Sequence, residues 1–386
     1  MRRNVVLFIV ISLVSGFGST AMTLAAGIWV FDLTGSPAVA ALTGLCIYAP
    51  TLGAPWLGTL ADRLPRRPLV IGTDVLLAAI MLTLLAVSSV REVWLIYVVL
   101  LARGLSYVLN DAAETAILPS ALPPGRLGDV NGWRASAQEG MKLIAPLAGA
   151  GLYAWSGPVP VVLLAAVAPL IAAGCYALLR LPPALPMEKP ERGEIREGLR
   201  ALFGNPAVRR PVLVAAVAIG LSGLTSAGVI AQLVHGLHLP ATRLGFLSTA
   251  QGAGSLVSGL LVGRLLTRFG PAAIAALGTA TFAIACVTWS LPWWPSMIVG
   301  SVLAGIGLVG ALIAGITAVQ TETPDHLLGR VGATANTVMF GSVAIAIPLG
   351  SVMVRFGAVA PLLTAAAVAA AGALVAQGAR AVIAAR

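Results

Sequence analysis

Long apolar runs, cut by short stretches of charge, proline and glycine, fill this chain from Val5 to Val375. Most run well past the length of a core strand, about eight residues, and none alternates strictly between apolar and polar, so the pattern predicts helices. About 20 apolar residues at 1.5 Å rise cover a hydrocarbon core of about 30 Å. Breaking the pattern at charges, prolines and glycine-rich turns gives twelve predicted spans: 5–31, 38–60, 69–88, 93–117, 131–154, 159–180, 212–235, 244–266, 271–290, 295–318, 331–354 and 359–379. Inside a bilayer no water satisfies lone backbone groups, so such spans must be helical, and the short alternating strands of a barrel are not seen.

Composition agrees with an all-α integral membrane protein. Of 386 residues, 58% are hydrophobic and 10% charged, with mean hydropathy +0.95; a soluble domain carries about 25% charge. The net charge of +10 raises the question of nucleic acid, but the basic residues lie between apolar runs, where membrane topology places them. No nucleic-acid partner is expected. The start, MRRNVVLFIV, imitates a secretion signal; its apolar stretch continues to Phe31 and reads as the first span. Cys46, Cys175 and Cys286 stand far apart in apolar surroundings, which predicts buried thiols and no metal.

With the N-terminus inside, only Arg91, Arg243 and Arg355 fall outside, Arg103 and Lys142 fall within spans, and the other nineteen of 24 Lys and Arg lie in or beside cytoplasmic segments. The expectation is a multi-pass protein of the cell (inner or plasma) membrane with both termini cytoplasmic.

One polar stretch, 181–211, divides the chain into an N-terminal six-helix bundle (1–180) and a C-terminal one (212–386), and a short amphipathic helix is expected near Glu194–Phe203. The halves are related. A shift of 201 residues carries nine of seventeen first-half glycines onto glycine: Gly27, Gly35, Gly44, Gly53, Gly58, Gly104, Gly128, Gly140 and Gly149 land on Gly228, Gly236, Gly245, Gly254, Gly259, Gly305, Gly329, Gly341 and Gly350. Six spans per half leave both repeats in the same orientation, so they are parallel repeats about an axis along the membrane normal. Glycine at matched places lets helices approach closely.

The turn GTLADRLPRRP after the second span resembles the loop 2–3 signature of the major facilitator superfamily, Gly-x-x-x-Asp-Arg-x-Gly-Arg-Arg, with Gly58, Asp62, Arg63, Arg66 and Arg67 in matching places and Pro65 where glycine is usual. The second half keeps a worn copy, GLLVGRLLTRFG, with Gly263 in place of the aspartate. LARGLSYVLNDAA resembles the fourth-span signature, and APLAGA at 145–150 a degenerate fifth-span antiporter motif. WVFDLTGSPAVAAL, the AILPSALP and RLGDVNG stretches and QTETPDHLLGRVGA look like the branch with enterobactin exporters and macrolide efflux proteins. The resemblance implies two pseudo-symmetric six-helix bundles that rock about a central site. It also implies a gate: Arg66 paired with Asp111 or Glu114, and Asp62 facing the start of span 11 near Val331, where a helix N-terminus favours an anion.

A charged group at the bilayer centre costs about 2.5–3.5 kcal/mol on insertion scales and needs a partner or a task. Asp74, Arg103, Asp111, Glu114, Glu139 and Lys142 lie within or near first-half spans, and the second half has only His235 and Glu322 near span ends. Arg103, Tyr107, Asn110 and Glu114 follow helical spacing, as do Asn131, Arg134, Gln138 and Lys142. Two polar stripes on consecutive helices are expected to face each other or a shared cavity. Asp111, Glu114 and Glu139 are the candidates for proton coupling, since burial and a movable cation push a carboxyl in opposite directions. The bland alternative is a permanent pair such as Glu139 with Lys142. Arg103, Lys142, Tyr107, Asn110 and Gln138 are candidates for tuning or for the cavity wall. Ser19, Thr20, Thr23, Ser222, Thr225, Ser226, Gln251 and Asn336 are candidate cavity contacts, against the alternative that Ser and Thr bond their own helix. Trp94, Trp155, Trp293 and Trp294 at outer edges read as an interfacial belt.

Together these expectations describe a secondary active transporter, not an enzyme: proton-coupled efflux of an amphipathic small molecule (a drug, macrolide or secondary metabolite) in the manner of a multidrug-resistance antiporter, with a siderophore or other anionic metabolite as the alternative. A protein of this kind needs no cofactor besides the proton gradient as energy source, takes protons, a small-molecule substrate and the lipid bilayer as partners, and functions as a monomer. No nucleophile–base pair, metal spacing or phosphate loop supports an intramembrane enzyme.

Overall fold

The computed structural model describes residues 2–61, 63–122, 127–181, 194–324 and 327–384, and among them every regular element is a helix. In chain order these are α1 (Arg2–Thr34), α2 (Pro37–Leu52), α3 (Ala54–Ala61), α4 (Arg66–Leu82), α5 (Val93–Ala121), α6 (Leu127–Ser156), α7 (Pro158–Leu178), α8 (Glu194–Gly204), α9 (Pro206–Ala231), α10 (Leu244–Phe269), α11 (Pro271–Ser290), α12 (Trp294–Glu322), α13 (Leu328–Met353) and α14 (Val359–Ala384). Punctuation is local. The Ser36 hydroxyl accepts from Val39 N ahead of Pro37 at the start of α2, and Glu92 Oε2 accepts from the backbone of Ser88 and Ser89 (2.8 and 2.7 Å) just before α5.

Each predicted span finds a helix, but not all are uniform rods. Among the described residues, ten helices have the length and hydropathy to cross a bilayer. The second span is α2 plus α3, interrupted because Pro50 lacks a donor and the chain bends at Gly53. The fifth, α6, is long enough but too polar, carrying Arg134, Glu139 and Lys142.

The two halves share a set of helix pairings. In the first, α1 packs on α6 and α7, α4 on α5 and α7, and α2 on α5; in the second, α9 packs on α13 and α14, α11 on α12 and α14, and α10 on α12. Some of the glycines related by the 201-residue shift sit at equivalent crossings. A Cβ at Gly104 would stand 2.5 Å from the Ile47 carbonyl on α2, and one at Gly305 would meet the Gln251 carbonyl on α10. Gly149 lies against Ala21 of α1 and Gly350 against Leu224 of α9.

Two seams join the halves, α2 with α13 and α6 with α10. The α2/α13 seam is closed along its length: Ser351 Oγ donates to the Ala38 carbonyl at 3.1 Å, Gly44 faces Ile347, Gly341 faces Leu52, and α3 continues the contact. The α6/α10 seam closes at one end. Gly245 meets Ala150 Cβ, Thr249 Oγ1 donates to the Leu143 carbonyl at 3.0 Å, and a Cβ at Gly252 would stand 2.7 Å from the Lys142 carbonyl. Gly259 and Gly263 lie on the same face at about 3.6 residues per turn, yet a Cβ at either would meet nothing within 4 Å. The helices therefore part toward the face that carries α8, where the Asn4 side chain ties the start of α1 to the carbonyls of Ala121 and Arg180. On the opposite face the rings of Phe31 and His235 join the halves, centroids 6.4 Å apart.

Candidate functional site

Helices α1, α4, α5, α6 and α7 enclose a cavity of about 170 Å³, and every charged side chain on its wall (Asp74, Arg103, Asp111 and Glu114) belongs to the first half. Tyr107, Asn110 and Ser19 also line it, and from the α6 stripe of Asn131, Arg134, Gln138 and Lys142 it takes Gln138.

Arg103, 9% exposed, points toward α1. Its guanidinium donates to Thr23 Oγ1 (2.9 Å) and to Ser19 Oγ. Thr23 donates its own proton to the Ser19 carbonyl at 2.8 Å, leaving its lone pairs for the arginine. No carboxylate among the described residues pairs with Arg103. It is a buried cation held by neutral oxygens.

A turn and more further along α5, Asn110 reaches α4. Thr73 Oγ1 donates to Asn110 Oδ1 (2.5 Å), and Asn110 Nδ2 donates to Asp74 Oδ1 (2.7 Å). Thr73 Oγ1 also lies within hydrogen-bond reach of the Leu69 and Val70 carbonyls (2.9 and 3.0 Å), so its single proton is shared among three acceptors. Asp74 is 5% exposed, and its second oxygen, Oδ2, is buried without a hydrogen-bond partner. The next turn of α5 carries Glu114, paired with Arg134 of α6 at 2.7 Å, the side chains 14% and 15% exposed. Arg134 Nε also donates to Ser12 Oγ (3.3 Å), and the guanidinium lies 6.0 Å from the Phe8 ring centre. Tyr176 of α7 stands beside Glu114 and Asp74.

Glu139 and Lys142 take the bland alternative in this structure. They pair with each other at 2.6 Å, one helical turn apart and half-exposed, off the cavity wall. They sit where the α6/α10 seam parts, the Lys142 carbonyl lying beneath Gly252.

Of the turn after the second span, Asp62 lies outside the described residues. Arg67 Nε donates to the Tyr176 carbonyl (3.1 Å) and its Nη2 to that of Ala177, so it caps the end of α7. The cation found at Glu114 is Arg134, where the resemblance offered Arg66 to Asp111 or Glu114. Gly58 has open space at its Cβ position, and Arg63 is exposed. In the second half, Ser222, Thr225 and Ser226 donate to carbonyls of their own helix. Gln251, whose carbonyl abuts Gly305, and exposed Asn336 lie off this cavity, as does Thr20.

Sequence reasoning gave Asp74 little weight and missed Ser12 and Tyr176. Arg134 was visible on the α6 stripe, but its acid was not. A lone tyrosine in the otherwise apolar α7 was the available signal for Tyr176.

A profile of the Major Facilitator Superfamily matches residues 7–236 and again 212–382. The chain belongs to that superfamily. Among curated superfamily members, Macrolide efflux protein A of Streptococcus pyogenes is 25% identical over 263 residues, 65% of this chain and 64% of that protein. The matched stretch is thus slightly under two thirds of that relative's length. The Enterococcus faecalis protein of the same name is 25% identical over 234 residues, 58% of this chain and 70% of that one. Among solved structures, a bacterial homologue of the iron transporter ferroportin in an inward-facing state has a TM-score of 0.71 at 19% identity, covering 97% of this chain and 99% of that one. The nucleoside transporter NupG gives 0.72 at 12% identity and 98% of each chain. At such identities the likeness is one of fold. This member of the superfamily is a multi-pass membrane transporter near the macrolide efflux proteins, and not an enzyme.

Proposed function

We propose that the protein exports an amphipathic small molecule, of the macrolide kind or another drug or secondary metabolite, in exchange for protons. The observation that supports this reading is the cluster of three acids and a buried arginine on the wall of a cavity that lies wholly within the first half. A proton taken up or released there changes one bundle's internal electrostatics and leaves the other to act as a lever. The bundles (1–180 and 212–386, joined by 181–211) rock about the two seams, closing the open stretch of α6/α10 as the opposite face releases substrate. The proton gradient is the energy source; both termini face the cytoplasm, the membrane is the cell membrane, and a monomer suffices. The turn at Gly58–Arg67 serves as the cytoplasmic gate.

The test is export of a radiolabelled macrolide from vesicles under an imposed pH gradient, comparing wild type with Asp111→Asn, Glu114→Gln and Glu139→Gln. Gradient-driven export that a protonophore abolishes is expected, weakened by at least one substitution. Export that ignores the gradient overturns the proposal. Asp62→Asn should slow turnover with binding retained.

One observation favours a second reading. Arg103 is a buried cation without a counter-acid among the described residues, and an anionic metabolite such as a siderophore would supply one. Competition between anionic and cationic ligands, with Arg103→Met losing only the former, would decide for it.

A further inference from the structure

We infer that the group carrying the coupled proton is Asp74 of α4, on its Oδ2 atom; this rests on the proton-coupled reading above and names the site within it. The argument is one of partners. The other acids of this charged cluster are paired or less buried: Glu114 pairs with Arg134 at 2.7 Å, Glu139 with Lys142 at 2.6 Å, and Asp111 is exposed at the cavity wall. Asp74 alone is 5% exposed with no cation beside it. Its oxygens are unequal. Oδ1 accepts from Asn110 Nδ2, an amide that also contacts Thr73; Oδ2 is buried without a partner. An ionised carboxylate in that position would be a buried, uncompensated charge. A carboxyl with its hydrogen on Oδ2 fits the arrangement found: the carbonyl-like oxygen accepts from the Asn110 amide, and the hydrogen sits on the oxygen that has no other partner.

The groups facing it agree. From α5 come Glu114, Asp111, Tyr107 and Arg103; from α6, Arg134; from α7, Tyr176; and from α1, the neutral Ser12, Ser15 and Ser19. Arg134 is committed to Glu114 and Arg103 to α1. A proton is the smallest guest that satisfies Oδ2. A metal ion would ask for a shell of several oxygens, and the other buried acid oxygen without a partner on this cavity, Glu114 Oε1, belongs to a carboxylate already paired with Arg134. The step is simple: a proton from water on the open side forms the O–H bond at Oδ2, and the same bond breaks to water on the other side after the bundles rock. Thr73 and Asn110 act as positioning residues that hold Oδ1 and leave Oδ2 to titrate.

The test is infrared difference spectroscopy of the purified full chain in nanodiscs, stepped from alkaline to acid buffer. Wild type should show a protonated-carboxyl band that Asp74→Asn removes and Glu139→Gln leaves, while Thr73→Val shifts its frequency by freeing Asn110. Asp74→Asn is isosteric and keeps an oxygen for Asn110 Nδ2, and unchanged elution on gel filtration shows that it folds. A band that survives Asp74→Asn, or is removed by Glu114→Gln instead, overturns the inference; so does a band abolished by added sodium, which makes the guest a metal ion. Macrolide export in vesicles separates the two levels. Full gradient-driven export in Asp74→Asn sinks the assignment and leaves proton coupling standing. A wild-type Asp74 band with no gradient-driven export leaves the proton site and sinks the macrolide reading.

Discussion

A side chain at Gly198 would be driven into the backbone of Arg330, whose carbonyl oxygen lies 2.8 Å from where the Cβ would stand. Beside it, Glu197 pairs with the Arg330 guanidinium. One turn further along, Leu202 is fully buried with Val208, Val331 and Ala335. The linker helix α8 is therefore a built part of the second bundle, seated on the first turn of α13, where the gate is expected. Gly198→Val should lift it off. Overpacking of this kind costs about 1–3 kcal/mol, read as a lowered melting temperature of the purified protein. Gly204→Val, at a position with nothing within 4 Å, is the matched control and should fall well short of that. Equal losses would show that α8 is not seated as described.

The two ion pairs of α6 should behave differently. Glu114–Arg134 is largely buried and Glu139–Lys142 is half-exposed. Removing one partner of a buried pair strands the other and costs about 3–5 kcal/mol, whereas exposed pairs contribute about 0–1 kcal/mol. A double-mutant cycle with Glu114→Gln and Arg134→Gln should show the double variant recovering much of what either single variant loses. The cycle with Glu139→Gln and Lys142→Gln should show little coupling. A strong coupling in the second cycle would mean the pair is dry in the membrane.

Arg103 is held by two hydroxyls through separate nitrogens of one planar fork. Lysine supplies a point charge and cannot reproduce that geometry. Arg103→Lys should therefore lose transport nearly as fully as Arg103→Met, and Thr23→Val should give a milder loss. Full function in Arg103→Lys would mean that charge alone matters there.

Much of this was legible in the sequence because a bilayer imposes so few solutions: apolar runs become helices, and charge within them must be matched. The helix order, the paired repeats and the confinement of charge to one half all follow from that rule. What stayed hidden depends on which residues meet across helices. Periodicity placed Glu114 on a face of α5 and Arg134 on a face of α6 but did not say that they touch. The contact of Asp74 with Asn110 was also hidden, since spacing on α4 carries no trace of a partner on α5. The break between α2 and α3 was present as Pro50 and Gly53, yet an apolar pattern runs through both.

The α6/α10 seam gives the most direct check on how the protein moves. Gly252 is in contact with α6 in this state, while Gly259, two turns on along the same face, is not. If the halves rock, the stretch around Gly259 must approach α6 when the other side opens. Gly252→Val should then destabilise this state by about 1–3 kcal/mol through overpacking. Gly259→Trp should leave thermal stability almost untouched and yet abolish transport, because the indole fills a gap that has to close. The discriminating measurement is both quantities on both variants. Normal transport in Gly259→Trp would mean that the seam does not close in the cycle, and that access to the cavity is controlled along the α2/α13 side instead.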